Sequence, residues 1–209
     1  PAQIRERLVW FVGRRQMNID GLGESTIDLI RSHGGIPMAS FADIFHLKSH
    51  RFALLDLEGF GIGKLERILD SIEQAKSRGL ATVLSSMGIR HVGHATAKLL
   101  ARRFGTIERL KSASLRELMP RAKLTWEEAQ RLGVSPKPCG GPDTGLGRLS
   151  AVSVFEYLHS EVARKAFEAL HRAGVRLDDS VDTAQSTSSE DPVVAGKRVV
   201  ITGTFGNHT

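Results

Sequence analysis

The chain has 209 residues, a net charge of +6 and a sequence pI of about 9.8. This length allows one or two domains with a proper core, and the basic charge makes an acidic partner plausible. The single cysteine, Cys139, excludes an internal disulfide and a multi-cysteine zinc site, and it indicates a reducing compartment. No apolar run approaches the ~18 residues that a membrane span needs, and no signal peptide is present. A start at Pro1 rather than Met indicates a piece of a longer protein.

Apolar residues at helical spacing predict helices along the first half of the chain. A helix over residues 4–12 is followed by the turn Gly21-Leu22-Gly23 and a second helix that stops near residues 34–35. Short helices are expected over residues 40–47 and 50–56. The stretch Leu57–Lys64 then opens into a helix whose apolar stripe consists of Leu65, Ile68, Leu69 and Ile72.

The second half repeats this organisation. A helix over residues 80–87 leads through the turn His91-Val92-Gly93 into a helix over residues 97–104. Capping-box spacing predicts two short helix starts, at Ser114 with Glu117 and at Thr125 with Glu128. Residues 120–144 are otherwise irregular and indicate an insertion. The turn Gly145-Leu146-Gly147 and helices over residues 151–158 and 161–173 follow.

Composition changes after residue 177. Residues 178–194 are mainly acidic and small polar residues, which predicts a flexible linker. In residues 195–209, the β-branched run Val199-Val200-Ile201 predicts one strand at the start of a further domain.

The four turns form a repeat. Each places an apolar residue (Leu22, Phe60, Val92, Leu146) between two small or polar positions, after a helical segment and before an amphipathic helix. The sequence therefore predicts an all-α fold of four tandem helix–hairpin–helix units. The second glycines leave the first N–H groups of each following helix free to hold a phosphate oxygen. Such contacts read no base, so binding is expected to be independent of sequence and sensitive to salt.

The predicted DNA contacts lie at and just after these turns, with basic residues nearby. They are Gly21, Gly23, Gly59, Gly61, Ile62, Gly63, Lys64, Arg90, His91, Gly93, His94, Lys98, Gly145, Gly147 and Arg148.

Two turns depart from the pattern. His91 replaces the first glycine of the third turn, which leaves a phosphate contact there open, and His91 or His94 could add a donor. Glu24 places a carboxylate where phosphate would lie in the first turn, which indicates a structural or helix-capping role there. Trp10 and Trp126 lie at helical positions typical of packing rather than of base stacking, and Cys139 is interpreted as a loop residue.

No catalytic constellation and no metal site is predicted. Gly63-Lys64 fails as a P-loop because Glu58 and Leu65 stand where glycine and a hydroxyl residue are needed. Asn18-Ile19-Asp20-Gly21 lacks the lysine of the Lys-x-Asp-Gly motif of nucleotidyl transferases, so it cannot form a lysyl–AMP bond.

Several segments resemble bacterial NAD-dependent DNA ligases, in the order that family has them. Phe11–Gly23 is similar to the region that follows the four-cysteine zinc finger, and Leu57–Gly61 and Leu84–Ala101 match the hairpin region. Gly196–Phe205 resembles the opening of the C-terminal BRCT domain. The insertion at residues 120–144, where the family has only a short link, and the linker are the exceptions.

The resemblance implies an enzyme that uses NAD to join 5′-phosphate and 3′-hydroxyl ends at nicks in duplex DNA, in replication and repair. Residues 1–16 would follow the missing zinc finger, residues 17–177 would form the four-motif DNA-binding domain, and residues 195–209 would begin a truncated BRCT domain. NAD, Mg²⁺ and Zn²⁺ would bind in missing domains, so this chain is expected to bind no cofactor and to be inactive alone. It is expected to be a monomer in the bacterial cytoplasm, associated with the nucleoid, with no membrane contact.

Two alternatives remain open from the sequence. One is a helix–hairpin–helix module of another DNA repair factor, such as a nuclease subunit or a junction-binding protein. The other is a helical protein-interaction scaffold that binds no nucleic acid.

Overall fold

The computed structural model describes residues 2–33, 35–119, 121, 123–140 and 144–179. Within these ranges the secondary structure is helical, and strand pairing is limited to one isolated bridge between Thr106 and Asp178. The predicted strand at Val199–Ile201 and most of the predicted linker lie outside the described residues. The helices are α1 (Ala2–Val12), α2 (Glu24–Ser32), α3 (Phe41–Phe45), α4 (Arg51–Leu55), α5 (Ile62–Lys76), α6 (Gly79–Ser86), α7 (His94–Phe104), α8 (Ile107–Ser112), α9 (Leu115–Leu118), α10 (Trp126–Arg131), α11 (Arg148–Leu158) and α12 (Glu161–Arg172), with a 3-10 turn at Leu47–His50.

The longer helices form where the apolar spacing predicts them, whereas α8 was not predicted. All four residues of the predicted stripe on α5 are buried, while Arg67 and Asp70 on the opposite face are exposed. The same division on the other long helices gives one continuous hydrophobic core that runs through residues 1–179, which form one compact unit. Burial of these stripes is the main stabilising contribution, because helices of 9 to 15 residues are marginal in isolation.

Four helix pairs make the hairpins. They are α1 with α2, α4 with α5, α6 with α7, and α9 with α11. These are numbered the first to fourth hairpins below. The prediction of an all-α, hairpin-based architecture is confirmed for the described residues.

The segment predicted as an insertion (residues 120–144) lies between α9 and α11, the two helices of the fourth hairpin. The Thr144 hydroxyl donates a hydrogen bond of 2.7 Å to the carbonyl oxygen of Leu118, which joins the two ends of the insertion. Because α9 still packs on α11, the insertion leaves the hairpin pair intact. It carries α10 as its own short helix, and the predicted capping box of Thr125 with Glu128 is present at the start of α10.

The hairpins pack in two pairs. At the turn of the first hairpin, the Asp20 N–H donates to Ser71 Oγ on α5 at 2.7 Å. A Cβ on Gly21 would lie 2.8 Å from Ile68 of the same helix. In the fourth hairpin, a Cβ on Gly145 would lie 2.9 Å from Leu99 on α7. Each of these turns therefore needs glycine for close approach as well as for its backbone conformation.

The packed region extends two residues beyond the predicted boundary at residue 177. The Asp178 carbonyl oxygen accepts a hydrogen bond from the Leu80 N–H, and the Asp179 carboxylate accepts one from the Ala81 N–H. Both acids therefore hold the start of α6 rather than belonging to the linker.

Candidate nucleic-acid interface

The four hairpin turns share one backbone conformation. The first position of each turn is left-handed, with φ of 79° at Gly21, 75° at Gly59, 61° at His91 and 71° at Gly145. The third position, which is glycine in every turn, is extended and is the N-cap of the following helix in all four hairpins. The repeat inferred from sequence is therefore a repeat in backbone geometry.

His91 keeps the turn despite replacing glycine. A left-handed conformation costs an L-residue about 1–2 kcal/mol, although histidine is among the residues that tolerate it best. The Val92 N–H donates to the Ile89 carbonyl oxygen at 3.0 Å, and the same bond closes the second turn, from Phe60 to Leu57. The third turn is therefore complete in structure.

The central apolar residues of the turns anchor them in the core, and three of the four are completely buried. Leu22, Phe60 and Val92 are buried, whereas Leu146 is only half-buried. In the fourth turn the Leu146 N–H donates to the Thr144 hydroxyl at 3.2 Å. A side chain at the end of the insertion therefore supports this turn.

Nothing in the described part of the chain requires glycine at the second glycine of each turn. Gly23, Gly61, Gly93 and Gly147 have φ between −64° and −96°, which any residue adopts. A Cβ added at any of them meets no atom within 4 Å. All four are exposed, and each precedes the free N–H groups of a helix start. No described atom therefore fills the position that a Cβ would take at any of these four glycines.

The first hairpin neutralises its own helix start. The Arg5 guanidinium on α1 forms ion pairs with Glu24 and with Asp28, the latter at 2.7 Å from Nε to Oδ1. The hydrogen bonds from Arg5 hold the pKa of Asp28 below its usual value. The structure pairs the Glu24 carboxylate with the Arg5 guanidinium.

The second hairpin presents an open and basic helix start. Ile62 is 64% exposed, and Gly63 has no atom within 4 Å of an added Cβ. The Lys64 ammonium lies 4.4 Å from the centre of the Phe60 ring. This cation–π contact places the charge over the turn and contributes about 0.5–1 kcal/mol.

The third hairpin carries an exposed group of basic and polar side chains. Arg90, His91, His94 and Lys98 all lie at the surface, on the turn and the first turns of α7. Among the described residues, neither Arg90 nor Lys98 has an ion-pair partner. The Ser150 hydroxyl on α11 donates to the His91 carbonyl oxygen at 3.0 Å and links this turn to the fourth hairpin.

The fourth hairpin has its arginine already paired. Arg148, the first residue of α11, forms an ion pair with Glu128 of α10 in the insertion. The predicted contacts therefore fall into two classes. The helix starts of the second and third hairpins are open, and those of the first and fourth lie beside the chain's own ion pairs.

Comparison with known proteins gives a family for the third hairpin. The family described as "Helix-hairpin-helix motif" matches residues 82–120, which contain most of α6, all of α7 and α9, and the turn with His91. The replacement of glycine by His91 therefore does not take this hairpin out of the motif.

Relatives cover the rest of the chain. A DNA ligase of Natranaerobius thermophilus is 34% identical over 209 residues, which is 100% of this chain and 27% of that protein. A DNA ligase of Listeria monocytogenes is 36% identical over 203 residues, 97% of this chain and 26% of that protein. One of Thermomicrobium roseum is 34% identical over 97% of this chain and 25% of its own length.

The chain is homologous to bacterial DNA ligases. The resemblance drawn from the hairpin residues is thus confirmed along the whole chain. The chain spans about a quarter of the length of the ligases it matches.

Two tryptophans of this ligase homologue differ from the prediction. Trp10 is 53% exposed and Trp126 is 73% exposed, so the expectation that they pack is wrong. Trp10 lies on the outer face of α1, whose inner face carries Leu8, Phe11 and Val12. Trp126 begins α10, a helix of six residues whose one fully buried side chain is Ala129. Cys139 lies exposed in a loop, as predicted.

The described residues of the ligase homologue contain no group of three or more His, Cys, Asp or Glu side chains that could hold a metal ion. Within the same residues, none of the helices has the length and apolar character to cross a membrane.

Sequence reasoning missed the partners of the candidate residues. Arg5 and Glu24 are 19 residues apart, and Glu128 and Arg148 are 20 apart, so neither pair has a local spacing signal. The Phe60–Lys64 contact did have a local spacing signal, because residues four apart at a helix start lie on the same side.

Proposed function

We propose that this chain binds duplex DNA through backbone phosphates, without reading base sequence. In this proposal the chain is the part of a DNA ligase that holds the substrate, and the second and third hairpins are its main phosphate-binding sites. The observation that carries the proposal is the second glycine of each turn, because neither its φ nor its surroundings require glycine. A partner that approaches the helix start closely, as a phosphate backbone does, supplies the missing reason.

The chemistry of the open hairpins suits a phosphate. The first N–H groups of α5 and α7 have no partner within their helices, and the helix dipole favours an anion there. Lys64 beside the second turn, and Arg90 and Lys98 beside the third, add positive charge. These groups contact phosphate rather than base edges, so affinity is expected to be similar for duplexes of different sequence.

In the whole enzyme, this DNA-holding segment serves chemistry done elsewhere. The parent ligase would use NAD and Mg²⁺ to join 5′-phosphate and 3′-hydroxyl ends at nicks, with a zinc finger before this segment, in replication and repair. No lysine stands at the position that a lysyl–AMP bond would need in Asn18-Ile19-Asp20-Gly21. The chain alone is therefore expected to bind nicked DNA and not to seal it.

Gly61→Val tests the proposal. Valine fits the φ of −74° and ψ of 160° at this position and meets no atom within 4 Å, so the fold is expected to be retained. The side chain would fill the space in front of the α5 N–H groups and weaken binding of a labelled nicked duplex by roughly tenfold, the loss of one or two charge-assisted hydrogen bonds. Fluorescence anisotropy at low salt, with duplexes of two different sequences, measures the effect.

Two matched variants serve as controls. Gly23→Val makes the same change in the first hairpin, where Glu24 and Arg5 already form an ion pair, and a much smaller loss is expected. Gly35→Val adds the same side chain to an exposed loop outside the hairpins. Equal affinity for all three variants and the parent chain would contradict the hairpin site. Failure of the parent chain to bind any duplex would favour a protein-interaction scaffold.

A further inference from the structure

The insertion (residues 120–144) joins the fourth hairpin through two ion pairs between α10 and α11. Glu128 of α10 is paired with Arg148, at the start of α11. Arg131 of α10 is paired with Glu156, near the end of α11, at 3.1 Å. The two pairs have opposite arrangements of charge. The insertion places a carboxylate beside the start of α11, next to the turn, and a guanidinium beside the end of α11.

The Glu128 carboxylate is held in place by its own helix. Its Oε2 accepts hydrogen bonds from the Thr125 N–H at 3.0 Å and from the Thr125 hydroxyl at 3.1 Å. Its Oε1 accepts the bond from Arg148. Because one oxygen is fixed by the capping box, the other is presented to Arg148 without the entropy cost of an unrestrained side chain.

Arg148 occupies a repeated position. It directly follows the second glycine of its turn, as Glu24, Ile62 and His94 do in the other three hairpins. Of these four residues, Arg148 alone carries a permanent positive charge at the helix start. A phosphate in front of α11 would therefore take Arg148 as its partner, and Glu128 supplies a carboxylate to the same guanidinium.

We propose that Glu128 masks the fourth hairpin: its carboxylate holds Arg148 in place of a DNA phosphate, so that this hairpin grips DNA only when Glu128 is displaced or neutralised. The inference rests on the proposed DNA-binding function and identifies which of its four sites is held back. In the free chain the DNA-binding face consists mainly of the second and third hairpins, and the insertion sets how strongly the fourth contributes.

Glu128→Gln tests the mask while retaining the helix cap. Glutamine is the other residue that completes a capping box, so α10 is expected to stay folded, while the amide cannot balance the Arg148 charge. Duplex affinity at low salt should rise by roughly twofold to fivefold, the range for an exposed ion pair. The slope of log affinity against log salt should become steeper by about one, since one more phosphate is neutralised. Anisotropy titrations at several salt concentrations measure both quantities.

Glu156→Gln is the matched control. It makes the same change in charge and breaks the other ion pair between the same two helices, but it frees Arg131 rather than Arg148. For Glu156→Gln, only the small gain in duplex affinity that comes from the change in net charge is expected. Arg148→Ala should lower affinity less in the parent chain than in Glu128→Gln, because in the parent chain the guanidinium is already paired. In the Glu128→Gln background it should remove the gain completely.

The outcomes separate this inference from the proposed function. Equal gains and equal salt slopes for Glu128→Gln and Glu156→Gln would overturn the mask, while DNA binding by the parent chain would leave the proposed function standing. A large loss from Arg148→Ala in the parent chain would also overturn it, because Arg148 would then already contact DNA. If neither the parent chain nor Glu128→Gln binds duplex at any salt concentration, the proposed function fails as well.

Discussion

At the scale of single residues, the second hairpin contains more glycine than its fold requires. Gly63 lies in the first turn of α5, has no positive φ, and has no atom within 4 Å of an added Cβ. Glycine in a helix is less favourable than alanine by up to about 1 kcal/mol. The chain therefore gives up stability at Gly63, and close approach of a partner is the physical reason that we infer.

Gly63→Ala should move stability and binding in opposite directions. The free energy of unfolding is expected to rise by about 0.4–1 kcal/mol, because alanine restricts the unfolded chain and suits the helix. Duplex affinity should fall, because the methyl group stands where the DNA backbone approaches α5. Urea unfolding followed by circular dichroism, together with anisotropy titration, measures both. A variant that is more stable and binds equally well would show that no partner approaches this face.

His91 shows how a residue can break a sequence pattern without breaking the structure. Its φ of 61° reproduces the conformation of Gly21, Gly59 and Gly145. The residue type at this position therefore does not decide whether the turn forms. The burial of Val92 and the hydrogen bond from the Val92 N–H to the Ile89 carbonyl oxygen stabilise the turn. Exposed beside Arg90, His91 offers a side-chain donor that the other three turns lack.

At the scale of elements, the short helices around the insertion depend on their caps. The helices α9 and α10 have four and six residues, too few to be stable from their own hydrogen bonds. Each begins with a complete capping box, Ser114 with Glu117 and Thr125 with Glu128. The hydrogen bonds from the Ser114 N–H and hydroxyl hold the pKa of Glu117 below its ordinary value, and those from Thr125 do the same for Glu128.

These lowered pKa values predict acid destabilisation. A carboxylate whose pKa is lower in the folded state stabilises the fold above its unfolded pKa of about 4.5, and this contribution is lost as pH falls through the folded pKa. The melting temperature should therefore fall as pH drops below about 4.5. In Glu117→Gln, that part of the fall should be smaller, because the amide does not titrate.

Thermal unfolding across a pH series checks this prediction. Glu127→Gln provides the control, because Glu127 lies next to Glu128 and no hydrogen bond to its side chain is found among the described residues. Identical pH profiles for Glu117→Gln and the parent chain would show that the capping box adds no stability through its charge. The positive charge of the nearby Arg103 also lowers the pKa of Glu117, so it contributes to the same profile.

At the scale of the whole molecule, the four hairpins share one turn geometry but differ in the charged groups beside their helix starts. The first helix start lies beside the Arg5–Glu24 pair and the fourth beside Glu128–Arg148, while the second and third are open. The open hairpins share one continuous core with the others, so their separation is fixed by packing rather than by linkers. Two binding hairpins at a fixed separation suit the regular phosphate backbone of a duplex better than they suit a flexible peptide.

Salt dependence tests this view of the whole surface. With about 4–8 phosphates neutralised, log affinity for duplex DNA should fall against log salt with a slope of about −4 to −7. If only two hairpins are open, the slope should lie near the shallow end of this range. Titrations between low and moderate salt concentrations give the value directly, and a flat response would contradict binding through phosphates.

The sequence by itself determined the helices, the four turns and the family. These features depend on residues close together in the chain: apolar side chains at helical spacing, glycines at fixed offsets and capping boxes. Local rules suffice for them because helix and turn hydrogen bonds span only a few residues. The prediction of an insertion within the fourth hairpin rests on the same kind of local signal, because proline and glycine interrupt the periodic pattern there.

Only the tertiary structure decided which hairpins are available. The pairs Arg5–Glu24 and Glu128–Arg148 join residues 19 and 20 positions apart, and the exposure of Trp126 depends on which face of α10 meets the core. Such contacts follow from the packing of whole helices, which no short spacing encodes. The anchoring of Asp178 and Asp179 against α6 is of the same kind, since their composition is typical of a linker and their partners lie about a hundred residues earlier in the chain.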